Sequence, residues 1–230
     1  GDTYLSDNII PISSSETIQM MDWNNIFPSA KKYIAKHNLY LKEMTYKLMG
    51  ERRYDHVLSV ATHARRLMKA NTLTGRQANN AYLAGLVHDN HKYVEEKEIR
   101  KYLGKDFDSI PYKALHGYAT AKWLREEYGM KNEKILSAIS KHTLAGPDMS
   151  KMDKVIYVSD KIANDRKERS NFVLRRLAYK NFDETFVKAL KQSVKYLEKK
   201  GVQPHDLTLE AVQKFAYGNK YGPTPSKVGK

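Results

Sequence analysis

The chain has 230 residues, 41% hydrophobic and 29% charged, a globular composition large enough for one substantial domain. It holds no cysteine, which excludes thiol catalysis, disulfides and cysteine-ligated zinc, and no apolar run reaches membrane-span length or forms a signal peptide. Forty basic residues against 26 acidic ones give a net charge of +14, which favours an anionic partner without choosing among them. A cytoplasmic protein is the simplest reading. In chain order, Gly1 replaces an initiator Met, as expected of a fragment. Asn8–Ser14, "NIIPISS", reads as extended, ending in serines suited to capping a short helix. "FPSAKKYIAKHNLY" then reads as a helix with Pro28 in its first turn.

From Tyr46 onward the apolar residues recur with a helical period. Val57, Val60, Ala64 and Leu67 form one stripe; Ala81, Leu83, Ala84, Leu86 and Val87 form a buried helix. Ile135, Ala138 and Ile139 make a further face, as do Met152, Val155, Ile156 and Ser159. Phe186, Leu190, Val194 and Leu197 give a long amphipathic face stopped by Gly201. The Gly/Pro/Lys-rich tail reads as disordered. The expectation is an all-α helical bundle over residues 44–217, a short α/β segment over 1–43 before it, and a disordered tail over 218–230.

"AGLVHDNHK", Ala84–Lys92, closes an apolar helix with imidazoles and a carboxylate. Burying a neutral polar group unpaired costs about 2–7 kcal/mol, so something must compensate. His56 heads the Val60–Ala64–Leu67 stripe, His142 follows Ile135 and Ile139, Asp160 follows Ile156, and His116 precedes Ala119 and Trp123, all at helical spacings. Any one of these reads best as a satisfied core residue. Together with His88 and Asp89 they read as a metal set. Histidines with two carboxylates suit iron, manganese or zinc rather than calcium. Six ligands exceed one open zinc site and suit two metals about 3.5–4 Å apart, with Asp89 as the bridge and hydroxide between them.

The ordered set His56, His88-Asp89, His116, His142, Asp160 resembles the HD-domain phosphohydrolases in their two-metal form. "RYDHVLSVA", "LAGLVHDNHK", "LHGYATAKWLREEYG", "AISKHTLAGPDMSKMDKVIYVSDKI" and "NDR" are similar to one subfamily, the YqeK-type symmetrical diadenosine-tetraphosphate hydrolases, from Arg53 to Phe215. The resemblance implies an all-α fold, a di-iron centre and cleavage of the dinucleoside tetraphosphate to two ADP. The substrate would thus be a dinucleoside polyphosphate rather than a nucleic acid. Two alternatives stand beside it. One is an HD phosphohydrolase acting on a deoxynucleoside triphosphate, guanosine tetraphosphate or a cyclic nucleotide. The other is a basic nucleic-acid-binding module with a vestigial HD site.

Lys92 follows His88 by four residues, which on a helix puts its ammonium beside the metals, where it can neutralise phosphate. Thr143 adjoins His142 and can bond a phosphate oxygen. By the resemblance Arg166 closes a D-I-E-P-x-R-like segment and would hold polyphosphate, although "DKIANDR" lacks the Glu-Pro. "PHDLTLEA" resembles an H-P-x-T segment, with Asp206 for Pro, and makes His205 and Thr208 candidate nucleotide contacts. Asp89, Lys92 and Arg166 are the expected catalytic residues. His63, about 10.5 Å along the helix from His56, is expected to pack or face solvent; His91 is expected to face solvent. His37 has no evident partner. The first 40 residues resemble the carboxy-terminal end of nicotinate-nucleotide adenylyltransferases: Ser13, Ser14 and Ser15 match its serine motif, although Gln19 stands nearest the motif's arginine. A carboxy-terminal piece of a fused adenylyltransferase–hydrolase polypeptide, inactive as an adenylyltransferase by itself, is the expectation.

Overall fold

The computed structural model describes residues 23, 26–71 and 75–218. Among the described residues the regular structure is helical, in ten α-helices. They are α1 (Pro28–His37), α2 (Leu41–Asn71), α3 (Gly75–Val87), α4 (Glu96–Leu103) and α5 (Tyr112–Trp123), then α6 (Glu133–Lys141), α7 (Lys151–Ile162), α8 (Arg169–Ala178), α9 (Phe182–Lys199) and α10 (Asp206–Tyr217). The expected strand Asn8–Ser14, the serine cluster Ser13–Ser15 and the tail beyond Gly218 lie outside the described residues.

Local chemistry sets the helix ends. Pro28 opens α1, and Asn38 closes it in the left-handed region at φ 51°. α2 is kinked at Gly50, whose φ of 64° and ψ of 167° interrupt the helix. Ser150 and Asp153 form a capping box at the start of α7, and Asn132 and Asn181 cap α6 and α9 through their side chains.

α2 and α3 form the centre, with α6 and α7 laid against them. Val57, Ala61, Ala64 and Leu67 meet Ala81, Ala84 and Val87, Ile135 and Ile139, and Val155 and Ile156 in one buried cluster. Each fully buried Val, Leu or Ile contributes roughly 1.5–3 kcal/mol relative to exposure. Ile34 of α1 and Leu41 of α2 join that cluster, and Trp23 stacks on Tyr128 at 5.4 Å. The boundary expected at residue 43 therefore falls inside α2, with one core on both sides of it. A second cluster packs Ile99 and Leu103 of α4 against Leu115 and Ala119 of α5. No helix among the described residues is long and apolar enough to cross a membrane.

One helical expectation is corrected. α3 stops at Val87, and residues 88–93 are turn. Asn90 N–H donates to Val87 O at 3.0 Å and Lys92 N–H to Asp89 O at 2.7 Å, so this turn rather than a continuing helix aims His88, Asp89 and Lys92.

Candidate metal centre

Five elements converge on one buried point. His56 lies within α2, His88 and Asp89 follow α3 directly, His116 lies in α5, His142 follows α6, and Asp160 lies near the end of α7. All six are buried. Two glycines permit the approach. A Cβ on Gly85 would meet Ala61 Cα at 2.8 Å, so α3 can press against α2 only without one. A Cβ on Gly117 would meet Ile139 O at 2.8 Å and the His142 ring at 3.0 Å, which lets His116 and His142 sit side by side.

Asp89 is the hub. Its Oδ2 faces His88 Nε2 at 3.4 Å, His56 Nε2 at 4.0 Å and the Arg53 guanidinium. Its Oδ1 faces His116 Nε2 at 2.9 Å, His142 Nε2 at 3.7 Å and Lys92 Nζ at 3.8 Å. Asp160 Oδ1 lies 3.2 Å from His56 Nε2. Two overlapping groups, His56–His88–Asp160 and His88–Asp89–His142, each bring their ligand atoms within 4.8 Å of one another.

The outer nitrogens fix the inner ones. His88 Nδ1 bonds Gly85 O at 2.7 Å and His142 Nδ1 bonds Ile139 O at 2.6 Å. A carbonyl only accepts, so each Nδ1 carries the proton and each Nε2 turns a lone pair inward. His56 Nδ1 meets the two oxygens of Asp165 at 2.8 and 2.9 Å, with the same consequence. His56 Nε2, His88 Nε2 and Asp89 Oδ1 are buried yet make no hydrogen bond of good geometry. Inward lone pairs, an orphaned carboxylate oxygen and a His116 Nε2–His142 Nε2 separation of 3.0 Å fit a cation better than they fit one another.

Electrostatics agree. Burial lowers His88 to about 3 and His116 to about 4, in each case against the upward pull of Asp89, so both rings are neutral at physiological pH and free to ligate. Burial pushes Asp89 up, but His88, His116, His142 and Lys92 outweigh it and hold the carboxyl well below its usual value. Asp160 behaves alike: burial raises it, while His56, Lys161, Arg166 and His88 bring it well below.

Among the other residues singled out in the sequence, Lys92 Nζ reaches His116 Nε2 at 3.4 Å, and burial lowers its pKa. Thr143 Oγ1 lies 3.0 Å from His142 Nε2. Arg166 donates to Asp160 Oδ1 at 2.9 Å and to Asp160 O at 3.3 Å. His205 and Thr208 are engaged elsewhere. His205 Nδ1 caps α10 by accepting from Leu207 N–H at 3.2 Å, and the buried Thr208 hydroxyl donates to Leu144 O at 2.7 Å. His91 does not face solvent as expected. It is half-buried with Nδ1 3.1 Å from Thr120 Oγ1, and burial lowers it to about 4. His63 is buried, hydrogen-bonded to Tyr179 and Asn164. His37 is exposed and packs on Tyr33, ring centroids 4.5 Å apart.

Sequence reasoning passed over Arg53, Asp165 and Gly117. Arg53 lies three residues before His56 and so shares its helix face, a usable signal. Asp165, on a turn, and Gly117, in a tertiary contact, left no periodic trace.

Residues 53–165 match the HD domain family. A Mycoplasma pneumoniae protein described as a probable nicotinate-nucleotide adenylyltransferase/Ap4A hydrolase is 36% identical over 158 residues, covering 66% of this chain and 44% of that protein. The chain thus spans under half the length of that relative. The symmetrical bis(5'-nucleosyl)-tetraphosphatase of Staphylococcus aureus is 29% identical, over 78% of this chain and 94% of its own length. That of Halalkalibacterium halodurans is 30% identical, over 66% and 82%. The crystal structure of a predicted HD superfamily hydrolase involved in NAD metabolism, from Clostridium acetobutylicum, superimposes with a TM-score of 0.70 at 28% identity, covering 77% of this chain and 95% of that one. With the His/Asp cluster at its centre, the chain belongs to the HD-domain hydrolase family that includes the symmetrical bis(5'-nucleosyl)-tetraphosphatases.

Proposed function

We propose that the chain is a metal-dependent phosphohydrolase that cleaves diadenosine tetraphosphate symmetrically, one water and one substrate giving two ADP. The observation that carries this reading is the two-sided engagement of Asp89. Oδ2 faces one set of imidazoles, Oδ1 another, as a carboxylate shared by two cations would. His56, His88 and Asp160 would hold one metal, His116 and His142 the other, with Asp89 between them. Iron is the metal proposed, on the resemblance and the His-rich donor set; manganese and zinc have compatible ligands. Bound metals acidify water and polarise phosphoryl oxygens.

The chain's own residues supply the rest. Arg53, Lys92, Lys161 and Arg166 surround the two buried carboxylates, a cationic rim suited to a polyanion. Lys92, beside Asp89 and His116, would stabilise charge building on the attacked phosphate. Arg166 would turn its guanidinium from Asp160 toward the departing ADP. The hydroxyl of Thr143 would donate to a phosphate oxygen. With its hydroxyl tied to Leu144 O, Thr208 would act by holding the loop after Thr143, and His205 by capping α10 behind it. Covalent catalysis has no part in this scheme.

The test is turnover of diadenosine tetraphosphate in oxygen-18 water by protein loaded with Fe(II), Mn(II) or Zn(II). ADP as the sole nucleotide product, half of it labelled, is expected. ATP plus AMP, or faster turnover of a deoxynucleoside triphosphate, guanosine tetraphosphate or cyclic nucleotide, would replace this reading with a rival one. Tight nucleic-acid binding without metal would favour a binding module.

A further inference from the structure

The turn after α7 carries two residues that touch the buried His/Asp cluster, Asp165 on His56 and Arg166 on Asp160. Asn164 and Asp165 are exposed, so burial of their side chains holds this turn in place only weakly. Polar anchors do that instead. Arg175 of α8 donates to the orphan carbonyls at the end of α7, Ile162 O at 2.7 Å and Ala163 O at 2.6 Å, and reaches Arg166 O at 3.4 Å. From the other side α2 offers a stripe at helical spacing: His56, Ser59 and His63. Ser59 Oγ accepts from Asn164 N–H at 2.8 Å, and His63 Nε2 meets Asn164 Oδ1 at 3.1 Å.

His63 is satisfied at both nitrogens in a single tautomer. An amide oxygen only accepts, so Nε2 carries the proton toward Asn164. Nδ1 is then the acceptor for the Tyr179 hydroxyl at 2.6 Å. Burial, opposed by Asn164 and reinforced by Arg175 and Arg66, lowers the ring's pKa and so favours the neutral form.

We propose that His63, oriented by Tyr179, is a positioning residue for the hydrolase: by holding Asn164 it fixes the turn that delivers Asp165 to His56 and Arg166 to Asp160. It touches neither metal nor substrate. One face of α2 therefore sets both a metal ligand and, seven residues on, the registration of the turn that braces that ligand. The kinetic half of this proposal rests on the tetraphosphatase reading; the structural half does not.

The test separates the two. In metal-free protein, amide hydrogen exchange is measured over residues 163–167 for the parent, His63→Leu, His63→Gln and Tyr179→Phe. His63→Leu is expected to speed exchange in that turn about 3- to 10-fold, the size of one lost hydrogen bond, while the rest of α2 stays protected. His63→Gln, which places an amide donor near the Nε2 position, should restore most of the protection. Tyr179→Phe should give an intermediate effect through the tautomer. With metal and diadenosine tetraphosphate, His63→Leu should raise KM more than it lowers kcat, because Arg166 is displaced while His88 and Asp89 stay in place. Parent-like exchange in His63→Leu, or loosening spread along all of α2, overturns the positioning role. A parent that leaves the tetraphosphate uncleaved overturns the functional reading alone, and the exchange data still decide the role of His63.

Discussion

His56 Nδ1 sits 2.8 Å from Asp165 Oδ1, so a buried ring in the middle of α2 is steered by an exposed carboxylate more than a hundred residues later. That carboxylate fixes the tautomer and strengthens the inward nitrogen as a donor. Asp165→Ala should lower metal affinity about 10- to 100-fold, the usual cost of removing an outer partner of a ligating histidine. Competition with a chelator of known strength measures it. Unchanged affinity would show that His56 does not ligate.

Asp89 makes a harder demand. Asp89→Ala removes the group shared by both halves of the site and leaves the Arg53 guanidinium without its partner. It should abolish turnover and strip metal while the helical circular dichroism persists. His88→Ala should do the same, whereas His63→Ala, which removes no ligand and only loosens Asp165, should still fill with metal in excess and lose less affinity than Asp165→Ala. Full activity in Asp89→Ala would remove the bridging role.

Gly117→Ala tests the geometry without touching a polar atom. Its methyl would lie 2.8 Å from Ile139 O, the carbonyl that holds His142 Nδ1. α5 and α6 must part or His142 must turn. Overpacking of this kind typically costs about 1–3 kcal/mol. A lower thermal midpoint and loss of about one of two metals are expected. Retention of both metals at parent affinity would show that the ring is not confined there.

The candidate ligand set was legible in the sequence because His56, His116, His142 and Asp160 stand at helical spacing from buried apolar residues, and His88 and Asp89 directly follow a buried helix. His56 shares the stripe of Val60, Ala64 and Leu67, and His142 follows Ile135 and Ile139; all of these residues are buried. The helical bundle was legible for the same reason. What escaped has no period. Lys92 reaches Asp89 through a turn rather than a helical repeat, and Asp165 is placed by the anchors of Asn164. His91 looked exposed because its partner Thr120 belongs to another helix, a pairing that spacing along one element does not encode. Thr208 matched a motif, yet its hydroxyl is spent on a backbone carbonyl.

The buried histidines also set a pH dependence of stability. His88 and His116 fall from the usual 6.5 to about 3 and about 4 in the folded protein, through burial. Below 6.5 the unfolded chain therefore takes up protons that the folded chain refuses, and stability falls as pH drops toward 4 and 3. Asp89 and Asp160, held well below 3.8, contribute stability above that value and lose it only at still lower pH, as their folded pKa values are passed. The metal-free protein should thus melt at progressively lower temperature from neutral pH to about pH 4.5, with the histidines responsible. A flat midpoint over that range would mean that the rings are not buried in the neutral form.

Lys92 and Arg166 separate metal binding from phosphate chemistry. Each lies against a carboxylate of the site, Lys92 Nζ 3.8 Å from Asp89 Oδ1 and Arg166 2.9 Å from Asp160 Oδ1. Neither cation ligates metal at neutral pH. Lys92→Ala and Arg166→Ala should therefore keep full metal occupancy and lose turnover of diadenosine tetraphosphate. Removing one positioned electrostatic donor costs about 10²–10³ in rate. The two should differ in kind. Lys92 is packed between Asp89 and His116, so its loss should fall mainly on kcat. Arg166 stands on the turn after α7 and must leave Asp160 to meet a substrate, so its loss should raise KM more than it lowers kcat. Steady-state kinetics with metal analysis on both variants decides this. If Arg166→Ala hydrolyses the tetraphosphate like the parent, the guanidinium serves only Asp160, and its role toward substrate is to be dropped.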